Sequence, residues 1–194
     1  KIVWESKDMT LREIFLEAIK LLPMHAKDYA TMKHKGQYRK FAGEEYVEHP
    51  KRVATIIRRY KKSHQLDQLV KAALLHDTIE DTNTTSHDLK MMYGALVASL
   101  VKELTSDDDG IQQKGKTQYL SDKMAIMSSW ALVIKLADRL DNVSDLKTAS
   151  KKFGDKYSKE TRIILNTLRK KRKLSGTQMK IVKAIYKKVR EAGY

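Results

Sequence analysis

Apolar residues return at helical spacing along nearly the whole chain, and nowhere do they alternate over the length a half-buried strand needs. That pattern confines the chain to packed helices, an all-α fold. Only Pro23 and Pro50 stand in the way of long helices. Thr10 followed by Glu13 forms a capping box ahead of a helix over 11–22, which Pro23 ends. A second helix is expected over 25–35, stopping near Gly36, and a third after Pro50 through Val53, Ile56 and Ile57. The stretch 66–81 is apolar along Leu69, Val70, Ala73 and Leu74 and yields to a polar turn at 82–85. Thr85 with Asp88 is a further capping box, opening a helix expected to run through Leu100. Residues 106–115, with three consecutive aspartates and two glycines, read as a loop, and a longer helix containing 134–146 follows. Near the end, Ile181, Val182, Ile185 and Val189 form an apolar stripe with lysines opposite, the mark of a helix docked on a core rather than on a membrane.

A length of 194 residues suffices for one core, and no linker or internal repeat divides it. One domain over 1–194 is expected, with its motif-bearing part at about 25–150 and a basic helical part over 151–194. No apolar run reaches the length of a membrane span, and the first ten residues lack the pattern of a signal peptide. The chain has no cysteine, which excludes disulfides and thiolate ligands and fits a reducing cytoplasm. Any metal site must therefore use His, Asp and Glu. The net charge of +15 is uneven: residues 147–194 hold 16 lysines and arginines against 3 acidic residues. Such a quarter is either a solvated helical surface or an attractor of phosphate-bearing partners.

The chemistry concentrates in the string 74–81, Leu-Leu-His-Asp-Thr-Ile-Glu-Asp. Adjacent His76 and Asp77 reach one cation if the backbone bends between them, and the apolar lead-in keeps them rigid. Glu80, three and four residues on, shares their helix face and is placed to deprotonate a water held by a cation. Alone, a His-Asp pair on a buried helix is usually just a satisfied polar pair. Two further positions bear on the choice. His49-Pro50 closes the segment before a helix, and Asp138 sits in an apolar helical run, where a carboxylate is costly unless paired or metal-bound. A surface pairing of Asp138 with Lys135 or Arg139 would also account for it.

Four blocks in order make the chain resemble the hydrolase domain of RelA/SpoT homologues, in particular their stand-alone small alarmone hydrolases. The first runs over 30–50, with His34-Lys35-Gly36-Gln37, Arg39-Lys40, Tyr46 and His49-Pro50. The second, 72–81, carries His76-Asp77 and Glu80-Asp81; the third is Leu104-Thr105; the fourth joins Lys135-Leu136-Ala137-Asp138-Arg139-Leu140 to Asn142 and Asp145-Leu146. The resemblance implies a helical fold of the HD phosphohydrolase type. It implies that His49, His76, Asp77 and Asp138 ligate a divalent metal, usually manganese, and that Glu80 and Asp81 activate the attacking water. Arg39 and Lys40 would grip the nucleotide, and Asn142 would contact the nucleoside.

The implied reaction releases pyrophosphate from the 3′ position of ppGpp or pppGpp, leaving GDP or GTP, in the cytoplasm. The same core chemistry on the 2′-phosphate of NADPH or on a nucleotide monophosphate is the alternative. The aspartates 107–109 are unusual beside a polyanionic substrate, with Lys114 and Lys116 as compensating charges. Asp141 stands where relatives carry an aromatic residue or histidine. No synthetase activity is expected from the residues after the last block. The partner is a small nucleotide, with neither membrane nor nucleic acid as the main one; the basic run 169–173 lacks interleaved aromatics. Oligomeric state is not legible.

Overall fold

A helix that buries most of its residues lies at the centre of the fold. In the computed structural model, which describes residue 10 and residues 24–40 and 43–194, the elements in order are α1 (Ala26–Lys33), α2 (Glu48–Tyr60), α3 (Leu66–Leu75), α4 (Thr78–Asp81), α5 (Ser86–Tyr93), α6 (Ala95–Leu104), α7 (Asp108–Lys114), α8 (Lys116–Ile126), α9 (Ser129–Ser144), α10 (Lys151–Lys171) and α11 (Gly176–Glu191). Among the described residues there is no strand, only an isolated bridge between Tyr38 and Glu45. The capping box at Thr10 and Glu13 and the helix over 11–22 lie outside the described residues.

Helix α9 buries 11 of its 16 residues, so it is surrounded rather than laid on a surface. It packs on α11, α2, α6 and α3. The stripe Ile181, Val182, Ile185 and Val189 is buried on this central helix, as a docking helix requires. Each such side chain removed from water contributes about 1.5–3 kcal/mol. No described helix is long and apolar enough to cross a membrane.

Helix α2 begins two residues before Pro50, which sits in the first turn, where a backbone N–H has no intrahelical partner to lose. The backbone bend that would let His76 and Asp77 reach one cation is present: α3 stops at Leu75 and α4 starts at Thr78. Thr85 and Asp88 form the expected capping box.

Two boundaries differ from the sequence expectation. The helix opened at Thr85 stops at Tyr93, because Gly94 adopts φ +90°, ψ 164°, and α6 starts anew after it. The stretch 106–115 holds a helix, α7, rather than an unbroken loop. Its aspartates are start signals: Asp107 Oδ2 accepts from Gly110 N at 3.1 Å, and Asp108 and Asp109 place negative charge in the first turn.

Candidate metal centre and adjoining cleft

Four elements bring the acidic and imidazole groups together. His49 sits in the first turn of α2, His76 and Asp77 at the α3–α4 break, and Asp138 in the middle of α9. The ligand atoms of His49, His76 and Asp77 all lie within 4.8 Å of one another. His49 Nε2 is 3.3 Å from Asp138 Oδ1 and 3.7 Å from Asp77 Oδ2. His76 Nε2 is 3.1 Å from Asp77 Oδ2 and 3.9 Å from Asp138 Oδ1.

The opposite ring nitrogens decide what these atoms offer. His76 Nδ1 donates to the Ala73 carbonyl at 2.9 Å, and His49 Nδ1 donates to Asp141 Oδ2 at 2.7 Å. With Nδ1 protonated, a neutral ring turns a lone pair at Nε2 toward the shared space. His76 Nε2 is buried without a hydrogen-bond partner; its approach to the neighbouring Asp77 has the distance of an ion pair but not the geometry of a hydrogen bond. With both rings neutral, two lone pairs and two carboxylates converge on one space. That is the donor set of a cation of borderline hardness, and the residues fit a divalent metal.

The electrostatics agree. Burial works to lower the His49 pKa, but hydrogen bonds to Asp138 and Asp141 outweigh it and push it up to about 9. Burial likewise works to raise the Asp138 and Asp77 carboxyls. Lys135 together with His49 holds Asp138 well below the usual range, and His76 and His49 hold Asp77 there. The cluster draws positive charge to itself. Lys135 Nζ does pair with Asp138 Oδ2, at 3.1 Å, but Asp138 is only 7% exposed, so this is no surface pair. Arg139 turns away, donating to Thr161 Oγ1 and lying over the Tyr157 ring.

Behind the cluster stands a residue that motif reading left without a role. Asp141, 3% exposed, receives His49 Nδ1 on Oδ2 and Arg52 Nε on Oδ1 at 2.7 Å, while Arg52 Nη1 reaches Glu44 Oε1 at 2.6 Å. Its carboxyl is lowered because these two partners outweigh burial. The signal was present in the spacing: Asp138, Asp141, Asn142 and Asp145 fall at i, i+3, i+4 and i+7, one face of α9 continued onto its C-cap. Tyr46 was noted only as part of a block, yet its hydroxyl donates to Asp77 Oδ2 at 2.7 Å.

Beside the cluster opens a cleft of about 490 Å³ whose lining includes Arg39, Lys40, Asp81, Lys116 and Asn142. Arg39 donates to Asn142 Oδ1 at 3.1 Å and pairs with Asp145, and Asn142 Nδ2 donates to Asp138 Oδ1. This chain of bonds ties the cleft to the cluster. Phe153 and Tyr157 stack with centroids 5.5 Å apart and planes 13° from parallel, forming an aromatic wall. Asp81 lies on the cleft lining, its carboxyl raised by burial and by the charge of Asp77. Glu80 is exposed and its Oε2 accepts from Ser106 N at 2.9 Å, so it faces the start of the α6–α7 connection rather than the cleft lining. Lys116 lines the cleft; Lys114, the other compensating charge, is exposed at the end of α7 and is not among the lining residues.

Residues 26–174 match the family model described as HD domain. The chain belongs to the HD domain family. Among HD-domain relatives, guanosine-3′,5′-bis(diphosphate) 3′-pyrophosphohydrolase MESH1 of Homo sapiens is 38% identical over 131 residues, 67% of this chain and 71% of that protein. The guanosine-3′,5′-bis(diphosphate) 3′-pyrophosphohydrolase of Aquifex aeolicus is 33% identical over 79% of this chain, which spans only 23% of that longer protein. A solved metazoan ortholog of SpoT, reported to hydrolyse ppGpp and to play a role in starvation responses, superposes with a TM-score of 0.73 at 29% identity, over 87% of this chain and 93% of that one. The resemblance to RelA/SpoT-type hydrolases thus holds in sequence and in the HD-domain fold.

Proposed function

We propose that this chain hydrolyses the 3′-pyrophosphate of ppGpp and pppGpp, giving pyrophosphate and GDP or GTP. The observation that carries the reading is the junction of a two-imidazole, two-carboxylate cluster with a cationic, aromatic-walled cleft. His49, His76, Asp77 and Asp138 hold a divalent cation, with manganese the ion that suits two imidazoles and two carboxylates. When bound, such an ion supplies Lewis acidity toward the scissile phosphate and acidifies water.

The other roles belong to the chain's own side chains. Arg39 and Lys40 bind the nucleotide, with Lys116 adding a second cationic edge to the cleft. Asn142, fixed between Arg39 and Asp138, orients the nucleoside, and the Phe153–Tyr157 wall offers a flat apolar surface to the base. Glu80 takes the proton of the attacking water, and Asp81 on the cleft lining completes the acidic pair. Glu80 leaves Ser106 N to do so, a tightening expected when substrate binds. The solved relative reported to hydrolyse ppGpp shares the fold, and the reaction is assigned to the cytoplasm, whose reducing conditions a cysteine-free chain fits.

The test is incubation with ppGpp and Mn²⁺, products resolved by chromatography, beside His76→Ala. GDP and pyrophosphate from the parent alone support the reading, and Glu80→Gln is expected to lower kcat by about 10²–10⁴-fold. If ppGpp survives while NADPH or a nucleotide monophosphate releases orthophosphate, the same chemistry serves another substrate and the present reading fails.

A further inference from the structure

The excess positive charge of the chain gathers on the hairpin of α10 and α11, away from any role in hydrolysis. The two helices run antiparallel: Arg172–Ser175 turns between them, the Tyr186 hydroxyl donates to Asn166 Oδ1 at 2.8 Å, and Tyr194 lies against Gly154. One face of α11 is buried on α9, which leaves the groove between the helices facing outward. Three adjoining cavities share Asn166 and so form one continuous groove, the largest part about 590 Å³.

Seven cations line it, among them Arg162, Arg169 and Lys170 from α10 and Lys183 and Arg190 from α11, against one carboxylate side chain, Asp155. Among the described residues only Lys187 of the seven has a carboxylate oxygen within 4.0 Å, that of Glu191. A merely solvated helix pair interleaves both signs, because like charges one turn apart repel. Here Arg162 and the pair Arg169–Lys170 stand at the two ends of about 12 Å of α10, at 1.5 Å per residue, with no carboxylate in the stretch between them.

We infer that this groove binds the phosphodiester backbone of a single-stranded nucleic acid, independently of base sequence. Arginine forks and lysines answer phosphates in a row, and Tyr186 and Tyr194 lie where bases can stack. A membrane would require exposed apolar side chains to insert, and Ile163 is the only large exposed apolar residue of the lining. A protein partner would require a dry apolar centre, whereas the floor here is the polar Asn166–Tyr186 pair. The inference stands apart from the hydrolytic reading.

The test is fluorescence anisotropy of a short labelled oligouridylate with the whole chain across a salt series. Binding is expected to weaken with a log–log slope of about −2 to −3.5, the release from three to five neutralised phosphates. Arg162→Glu with Arg169→Glu and Arg190→Glu is expected to cost at least about tenfold and to flatten the slope. The matching set Lys27→Glu, Lys90→Glu and Lys102→Glu, exposed on α1, α5 and α6, binds as the parent does. Should the reversed set melt early by circular dichroism, the glutamine set at the same three arginines replaces it. No binding, or equal binding by the folded variants, overturns the inference. Retention on phosphatidylserine vesicles without oligonucleotide binding overturns it too and makes the partner a lipid surface.

Discussion

Asp141 shows how much one buried carboxylate can govern. It holds His49 by Nδ1 and is itself held by Arg52, so the imidazole has one orientation and one tautomer. Asn at this place keeps the size but can present an N–H to Nδ1, which drives the ring proton to Nε2 and spoils that nitrogen as a ligand. Asp141→Asn is therefore expected to weaken Mn²⁺ binding by about 10–100-fold, read by calorimetric titration. Metal affinity unchanged from the parent, in a protein of unchanged helicity, would mean that the Asp141 contact is only structural.

Among the elements, α5 and α6 carry two devices whose removal has opposite signatures. Gly94 at φ +90°, ψ 164° occupies backbone space open only to glycine, so Gly94→Ala is expected to cost about 1–3 kcal/mol in urea unfolding. A variant as stable as the parent would show that the break between α5 and α6 can shift at no cost. Asp88 acts through charge: the backbone N–H of Thr85 donates to its carboxylate and lowers its pKa below the ordinary value of 3.8. A carboxylate lowered on folding contributes stability above its unfolded pKa of about 3.9 and loses it as pH falls through the folded value. The gap in Tm between the parent and Asp88→Asn is thus expected at neutral pH and closes in acid. A gap that persists at the acid end would assign the effect to packing.

At the scale of the molecule, the ligand cluster joins segments that stand far apart in the chain, at 49, 76–77 and 138. An ion held there binds the folded state only, since the unfolded chain scatters these residues. Saturating Mn²⁺ is expected to raise Tm, by a stabilisation of about 2.7 kcal/mol at a hundredfold excess over Kd, and chelation to reverse it. His76→Ala should lose that response, and a metal-induced rise in Tm that survives this substitution would move the site elsewhere. Helix α11 matters at the same scale, because it clamps α9, which carries Asp138, Asp141 and Asn142. Ile185→Ala, at a fully buried position, is expected to cost about 2–5 kcal/mol by denaturant titration. A cost under about 1 kcal/mol would show that α11 is not a clamp.

Much of this was legible in the linear chain. Helical periodicity set the class of fold, the Thr85–Asp88 box and the 181–189 stripe were read at their places, and the ordered His, His-Asp and Asp positions marked the cluster. The first three rest on neighbours within a turn or two, where spacing dictates which side chains share a face. The cluster was legible only through the family resemblance, since its members stand far apart in the chain. Other features could not be read that way. Gly94 as a break and the aspartates 107–109 as a helix start turned on backbone angles and capping, which residue type allows but does not compel. The pairing of Asp141 with His49, the anchoring of Glu80 by Ser106 and the groove between α10 and α11 join residues distant in sequence. Such contacts exist only once the helices have packed, because burial on α9 determines which faces meet and which charges are left pointing outward.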